Sequence, residues 1–457
     1  MKVAFVVSEM EPFAKTGGLA DVAGALPKAL GSLGVEVCVF LPRYGCVKET
    51  KSSVAAGPGV TVHFVDHPDY FNRPALYGNS DGDYPDNLDR FGFFCRQAFH
   101  AMKSNQFRPD LIHAHDWQSA LSIVYLANRF KEDPFFARTA SVFTIHNLAY
   151  QGLFSKDQFP KLELPWSLFA INGLEFYDRV NLLKGGLVFA RALTTVSPSY
   201  SKEIQTKEQG EGLDGVLRMR SQDLSGILNG IDQEAWNPAA DLQIPHPFDS
   251  KRLNLKAKNK AALQKEMGLP VDSKAFLVGM VTRLASQKGL DWVVEALPRI
   301  SSLGIQLMIL GSGDRSIEEA LNRAASSSKT IRLRLAFDNA LAHRIYAGSD
   351  AFLMPSRYEP CGLGQMIAMR YGTIPIVRQT GGLNDTVTEA HASEEGGNGF
   401  CFQSQQPQAL ADAVERALGF YRNGAKWEPL QKRVMGIDFS WSHSAREYLR
   451  LYERLIA

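Results

Sequence analysis

Apolar residues fall into short continuous runs, separated by longer stretches in which they recur at helical spacing. In the first half, Val3–Val7, Val35–Leu41, Leu111–Ala114 and Val142–Ile145 read as strands, with Asp21–Leu33 and Trp117–Arg129 as helices between them. An uninterrupted apolar strand is one covered on both faces, as in a parallel sheet, and strands alternating with helices are the mark of βαβ units. A second series begins near Phe276, with Phe276–Val281, Leu307–Leu310, Ala351–Met354 and Ile374–Val377 as its strands. The pattern predicts an α/β protein of two doubly wound, Rossmann-like domains, 1–240 and 271–435. Between them, at 241–270, periodicity weakens and Pro, Asp and Lys accumulate, so a linker is expected there. Residues 436–457 end in an amphipathic helix with Tyr448, Leu451, Tyr452 and Leu455 on one face. No strand precedes it, so it is expected to pack back on the N-terminal domain. Open α/β sheets bind ligands beyond the carboxyl ends of their strands, and two such domains face to face imply an interdomain cleft.

Composition adds limits. A chain of 457 residues, 45% hydrophobic, exceeds what one core holds, since single cores stop growing at roughly 250–300 residues. A net charge of +2 carries no basic field for nucleic acid, so any anionic ligand must be met by a few placed cations. No apolar run is long enough for a transmembrane helix, and the chain opens directly into a strand with no signal peptide expected. The five cysteines are scattered and form no C-x-x-C pair, which points to a reducing compartment and away from disulfides or zinc.

Candidate chemistry clusters just after the strands. Lys15-Thr16-Gly17-Gly18-Leu19 lies between a strand and a helix, where glycines admit a ligand to the backbone and helix-start N–H groups attract anions. The same Thr-Gly-Gly-Leu recurs at Thr380–Leu383. Arg283 and Lys288 follow the strand ending at Val281, as a pair of cations suited to a diphosphate. Glu359-Pro360-Cys361-Gly362-Leu363-Gly364 precedes a helix whose start offers further N–H groups. His113, His115 and Asp116, with His146, follow two first-half strands. Each segment also has a plainer reading: a βα turn, a solvated basic loop, a helix cap, a buried and satisfied histidine. The Lys15–Leu19 loop carries neither the G-x-G-x-x-G nor the P-loop spacing, which speaks against an NAD-dependent dehydrogenase. The stretch Asp66–Arg90 is acidic and aromatic, and reads either as a functional loop or as a surface insertion.

Taken together, these segments resemble the bacterial and plant glycogen and starch synthases, retaining glucosyltransferases of GT-B architecture. Lys15–Leu19 (KTGGL), His113–Gln118 (HAHDWQ), Thr144–Gly152 (TIHNLAYQG), Thr195–Pro198 (TVSP), Gly226–Asp232 (GILNGID), Thr282–Gly289 (TRLASQKG), Glu359–Leu363 (EPCGL), Thr380–Leu383 (TGGL) and Asp438–Trp441 (DFSW) follow in family order. The resemblance implies transfer of glucose from ADP-glucose to the non-reducing 4-hydroxyl end of an α-1,4-glucan. The acceptor would be glycogen, starch or a malto-oligosaccharide, with no cofactor, no metal, no nucleic acid and no membrane. It implies an acceptor side in the N-terminal domain and a nucleotide-sugar side in the C-terminal domain. The cytoplasm is the expected compartment, or a plastid after loss of a transit peptide. Alternatives are a UDP-glucose-using GT-B transferase and a catalytically weak glucan-binding or regulatory protein.

Roles also follow from the resemblance. Arg283 and Lys288 would hold the distal phosphate, Lys15 the diphosphate, and Glu359 the donor glucose. His146 would lie near the glucose 6-hydroxyl, and Asn229 would line the donor site. Asp116 would act on the acceptor side, as would Tyr77 and Tyr84 of the aromatic loop. Gly17, Gly18, Cys361, Gly362, Leu363, Gly364, Thr380 and Gly381 would offer backbone to the nucleotide sugar. Phe337 stands where a tyrosine commonly stacks on adenine, Gly364 where threonine is common, and Glu211 where an aromatic residue is common.

Overall fold

The computed structural model describes residues 1–79, 82–326, 328–391 and 396–457, and divides the chain into two compact units. The first comprises Met1–Gly230 together with Ser440–Ala457, and the second comprises Ile231–Phe439.

The first unit is built on strands β1 (Lys2–Val6), β2 (Glu36–Pro42), β3 (Ser53–Gly57), β4 (Val60–Val65), β5 (Leu111–His115), β6 (Ala140–Ile145), β7 (Ala192–Thr195) and β8 (Leu224–Gly226). Their order is β8-β7-β6-β5-β1-β2-β4-β3, parallel throughout except for the β3–β4 hairpin at the edge. β1 is central, with Val3 opposite both Val37 and Leu111, and four of its five residues are buried. The strand order reverses between β1 and β5. The helix Trp441–Ile456 belongs to this unit, and Trp441, Ala445, Tyr448, Leu451 and Tyr452 join Val3, Phe5, Val22 and Leu26 in one core.

The second unit carries β9 (Leu277–Val281), β10 (Gln306–Gly311), β11 (Ile331–Leu335), β12 (Ala351–Met354), β13 (Ile374–Arg378) and β14 (Phe400–Phe402). The order β11-β10-β9-β12-β13-β14 is the doubly wound arrangement, all parallel, with its reversal between β9 and β12. Among the described residues, no helix is long and apolar enough to cross a membrane.

The structure corrects the expected domain limits. The first unit ends at Gly230, and 241–270 is no linker but part of the second unit. The reason is chemical. In the helix Leu253–Glu266 the buried positions are Lys256, Asn259, Lys260, Leu263 and Gln264, a helical stripe made almost wholly of polar residues. A reading based on hydrophobicity sees no face there. The buried groups are satisfied instead. Lys256 Nζ donates to Thr373 Oγ1 at 2.7 Å and to Ala347 O at 3.0 Å, while Lys260 Nζ sits 2.7 Å from Asp350 Oδ2. The Lys260 and Asp350 side chains are only 6% and 11% exposed. Replacing Asp350 with alanine would strand the Lys260 charge, and is expected to cost about 3–5 kcal/mol in urea unfolding.

Candidate active site

Lys15, Asp116, Arg283, Lys288 and Glu359 lie beyond the carboxyl ends of the strands that flank the two points of reversal, while His146, Asn229, Phe337 and Thr380 follow other strands of the same sheets. In the first unit, the segment after β1 runs through Ser8 and Glu9 to Lys15–Gly17, and then enters the helix Gly18–Ser32. Sequence reasoning missed Glu9. It is 4% exposed, and its carboxylate accepts the Thr16 N–H at 2.5 Å, the Thr16 hydroxyl at 2.7 Å and the Gly17 N–H at 3.1 Å. The only signal was an acidic residue at a strand end, which Glu11 shares. The Gly17 amide is therefore engaged within the protein, contrary to the expectation of free N–H groups. Gly17 is extended, and a Cβ built there would meet nothing within 4 Å. Local packing thus leaves open space beside its backbone. Lys15 Nζ pairs with Asp21 Oδ1 at 2.6 Å.

β5 ends at His115, and the helix Asp116–Asn128 begins at once. Asp116 takes a left-handed backbone (φ 57°), which Asp tolerates better than most residues. Its Oδ1 accepts the backbone N–H of His146 at 2.7 Å, so the loop after β6 hangs from this carboxyl group. Burial pushes the Asp116 carboxyl up to about 7, against the opposing effect of the His146 and Asn147 amides. Burial also drives His146 down to about 3. The pair at neutral pH is a carboxyl group near its midpoint and an uncharged imidazole. Asn229, just beyond β8, is buried with no partner for Oδ1.

The two acceptor-side tyrosines have internal roles. The Tyr77 hydroxyl donates to Glu9 Oε1 at 2.7 Å and lies 2.8 Å from Ser8 Oγ. The Tyr84 ring packs against the guanidinium groups of Arg73 and Arg90, at 4.8 and 5.0 Å. Arg90 is fully buried, and donates to Tyr70 O at 2.7 Å, Leu76 O at 2.9 Å and Asn87 Oδ1 at 2.5 Å. The aromatic stretch is thus pinned from within by one arginine, and Ser80 and Asp81 lie outside the described residues.

In the second unit, Lys288 follows β9 and Glu359 follows β12. Lys288 Nζ lies 2.6 and 2.9 Å from the two Glu359 oxygens, and the Ser356 hydroxyl donates to the same carboxylate at 2.7 Å. Arg283, in the same loop as Lys288, is exposed and reaches Gln287 Oε1 at 3.5 Å. Two further residues escaped the sequence reading. Ser356 is one. The other is Arg378, buried, which donates to Ser356 O at 2.8 Å and to Arg357 O. Phe337 is 82% exposed in the segment after β11.

The repeated Thr-Gly-Gly-Leu is one sequence with two uses. At its second occurrence, a Cβ on Gly381 would fall 2.0 Å from Glu359 O, and one on Gly382 would fall 2.0 Å from Cys361 O. Gly381 and Gly382 therefore form the bed on which Glu359–Cys361 rests, just after Thr380, whereas Gly17 borders open space. Cys361 is buried, Gly362 has φ 70°, and Leu363 and Gly364 lead into the helix Gly364–Arg370. Among the described residues, no three His, Cys, Asp or Glu side chains are grouped to hold a metal ion.

The comparisons agree with these motifs. Residues 2–219 match the family described as starch synthase catalytic domain, and residues 275–419 match glycosyl transferases group 1. The chain is 47% identical to glycogen synthase 2 of Geobacter sulfurreducens, over 99% of this chain and 98% of that one. It is 48% identical to a glycogen synthase of Anaeromyxobacter dehalogenans, over the whole of both. Among solved structures, the catalytic domain of starch synthase IV from Arabidopsis thaliana, bound to ADP and acarbose, is 38% identical with a TM-score of 0.92, covering 100% of this chain and 99% of that one. A sucrose-phosphate synthase from Thermosynechococcus elongatus shares the fold, at 19% identity and a TM-score of 0.66, over 99% of this chain and 98% of that one.

Proposed function

Since the chain belongs to the glycogen and starch synthase family of GT-B glycosyltransferases, we propose that it transfers glucose from ADP-glucose to the non-reducing 4-hydroxyl end of an α-1,4-glucan, with retention of configuration. One observation carries the reading. A lysine ammonium and a carboxylate are locked together, at 2.6 and 2.9 Å, beside an exposed arginine at the ligand-binding end of a doubly wound sheet. The ADP and acarbose bound by the plant relative are a nucleotide and a carbohydrate of the class this site would take.

Chemistry assigns the parts. As the glycosidic bond of the donor breaks, negative charge collects on the diphosphate and positive charge on the sugar ring. Arg283 and Lys288, in the second unit, meet the phosphate charge as fixed cations. In the first unit, Lys15 is the cation proposed for a diphosphate, exchanging Asp21 for phosphate. Glu359 aims Lys288 and offers its carboxylate to the glucose hydroxyls. Because Lys288 and Ser356 hold both of its oxygens, it is assigned no role as nucleophile. His146 contacts the transferred glucose, and Asp116 holds the backbone of His146 while facing the acceptor side. The open space beside Gly17 admits the diphosphate, the unpaired Asn229 oxygen accepts a donor-sugar or ribose hydroxyl, and the exposed Phe337 ring stacks on adenine. Glycogen, starch and malto-oligosaccharides all present the required chain end. All five cysteines are free thiols, which supports a cytoplasmic setting. With Arg283 and Lys288 to neutralise the leaving group, we propose that turnover needs no metal.

The test is incorporation of labelled glucose into glycogen from ADP-glucose and UDP-glucose, side by side, with and without excess chelator. Efficient transfer from ADP-glucose, unaffected by chelation, is expected. Preference for UDP-glucose, or β-linked product, would overturn the donor or the retention assignment. Loss of turnover in chelator, restored by a divalent ion, would overturn the metal-free reading.

A further inference from the structure

His113 and His115 lie on one face of β5, and His146 follows the end of β6 beside them. Their rings form a row, with centroids 4.0 Å apart from His113 to His115 and 5.2 Å from His115 to His146. Burial holds all three below the usual histidine range, so each is neutral near pH 7. A neutral imidazole has one N–H and one bare nitrogen, and its partners decide which is which.

His113 is satisfied at both nitrogens, by Tyr452 Oη at 2.7 Å and Thr144 Oγ1 at 2.5 Å. His115 is not. Its Nδ1 lies 3.0 Å from His146 Nε2, while its own Nε2 is buried with no partner. One proton occupies the Nδ1–Nε2 contact. If His146 supplied it, the His115 proton would sit on Nε2 as a buried N–H with nothing to accept it. If His115 supplies it, the unpaired nitrogen is a bare acceptor. Buried orphan N–H groups are the rarer of the two. The His115 ring is held in place by Phe5, stacked at 5.2 Å and 25°.

We infer that His115 donates from Nδ1 to Nε2 of His146, and so fixes His146 as the Nδ1–H tautomer, a hydrogen-bond donor toward the transferred glucose. His115 is a positioning residue. The inference rests on the assignment of His146 as a sugar contact. It also separates the jobs of two neighbours: Asp116 holds the His146 backbone, and His115 sets where its ring carries the proton. Free neutral histidine favours the opposite, Nε2–H tautomer, so the effect is visible.

The experiment is nitrogen-15 NMR of histidine-labelled protein, with the His146 signals assigned by their loss in His146→Gln. Wild type should show His146 protonated on Nδ1. In His115→Leu the proton should move to Nε2, and kcat should fall about 10- to 100-fold, the cost of turning one donor into a misplaced acceptor, with KM little changed. His115→Asn, which keeps an amide donor near the Nδ1 position, should restore both. Finding His146 protonated on Nε2 in wild type, or unmoved in His115→Leu, overturns the proposal. The wild-type spectrum alone decides if His115→Leu fails to fold. Undiminished turnover in His146→Gln would instead overturn the sugar-contact assignment, and leaves the tautomer reading to the spectra.

Discussion

Lys288→Ala is expected to lower kcat by about 10²–10³-fold, the usual cost of one preorganised group that meets developing charge. The variant acts at the leaving group, where a neutral methyl cannot replace an ammonium. Arginine at the same position should recover only part of the loss, because a larger, planar guanidinium spreads its charge and cannot put a compact ammonium where the leaving phosphate needs it. The structure adds a stability effect that the motif alone does not suggest. Glu359 is 6% exposed, and without Lys288 its carboxylate keeps, among the described residues, the Ser356 hydroxyl alone. A buried carboxylate that loses its main partner costs about 1–3 kcal/mol. Turnover should therefore be normalised to folded protein, with the urea midpoint measured alongside. Adding Glu359→Gln to Lys288→Ala should recover stability but not turnover. Near-normal kcat in folded Lys288→Ala would sink the diphosphate role.

The second large effect concerns Asp116. With its carboxyl raised to about 7, the rate should rise through an acid limb near neutrality, as the carboxylate that grips the His146 amide forms. The same group bears on stability in the unusual direction. Its folded pKa lies above the ordinary 3.8, so between about pH 4 and pH 7 the folded chain keeps a proton that the unfolded chain has lost. Asp116 therefore makes the fold less stable as pH rises through that window, whereas a salt-bridged carboxylate does the reverse. Asp116→Asn should remove both dependences. It should also cut kcat by about 10²-fold, since a neutral amide holds the His146 loop more weakly. His146, at about 3, contributes no ionisation near neutrality. A pH–rate profile flat between pH 6 and pH 8 in the wild type would refute this account.

Much of the architecture was legible because burial on both faces writes itself as uninterrupted apolar runs. The strands around Val3–Val6 and Leu277–Val281 stand where the pattern put them. Lys15, Asp116, Lys288 and Glu359 fall just past strand ends beside the reversals, where parallel sheets expose their loops. The helix Leu253–Glu266 was not legible, since its buried stripe is polar and its partners are backbone carbonyls and one aspartate distant in sequence. Glu9 was hidden for a related reason. Nothing in its neighbours announces that its carboxylate will take the amides of Thr16 and Gly17.

What the amino-acid order determined by itself is the class of fold and the family. Both follow from local facts: hydrophobic period, glycine placement, and charged residue types at fixed spacing in the family's order of segments. What the tertiary structure decided is how identical or similar residues divide their work. One Thr-Gly-Gly-Leu borders open space and the other beds the Glu359 loop, which depends on where a distant carbonyl lies. His113 is a sealed core residue and His115 a proton-setting neighbour of His146, although the two sit in one short motif. These assignments hang on hydrogen bonds between residues far apart in the chain, and such contacts leave no periodic trace in the sequence.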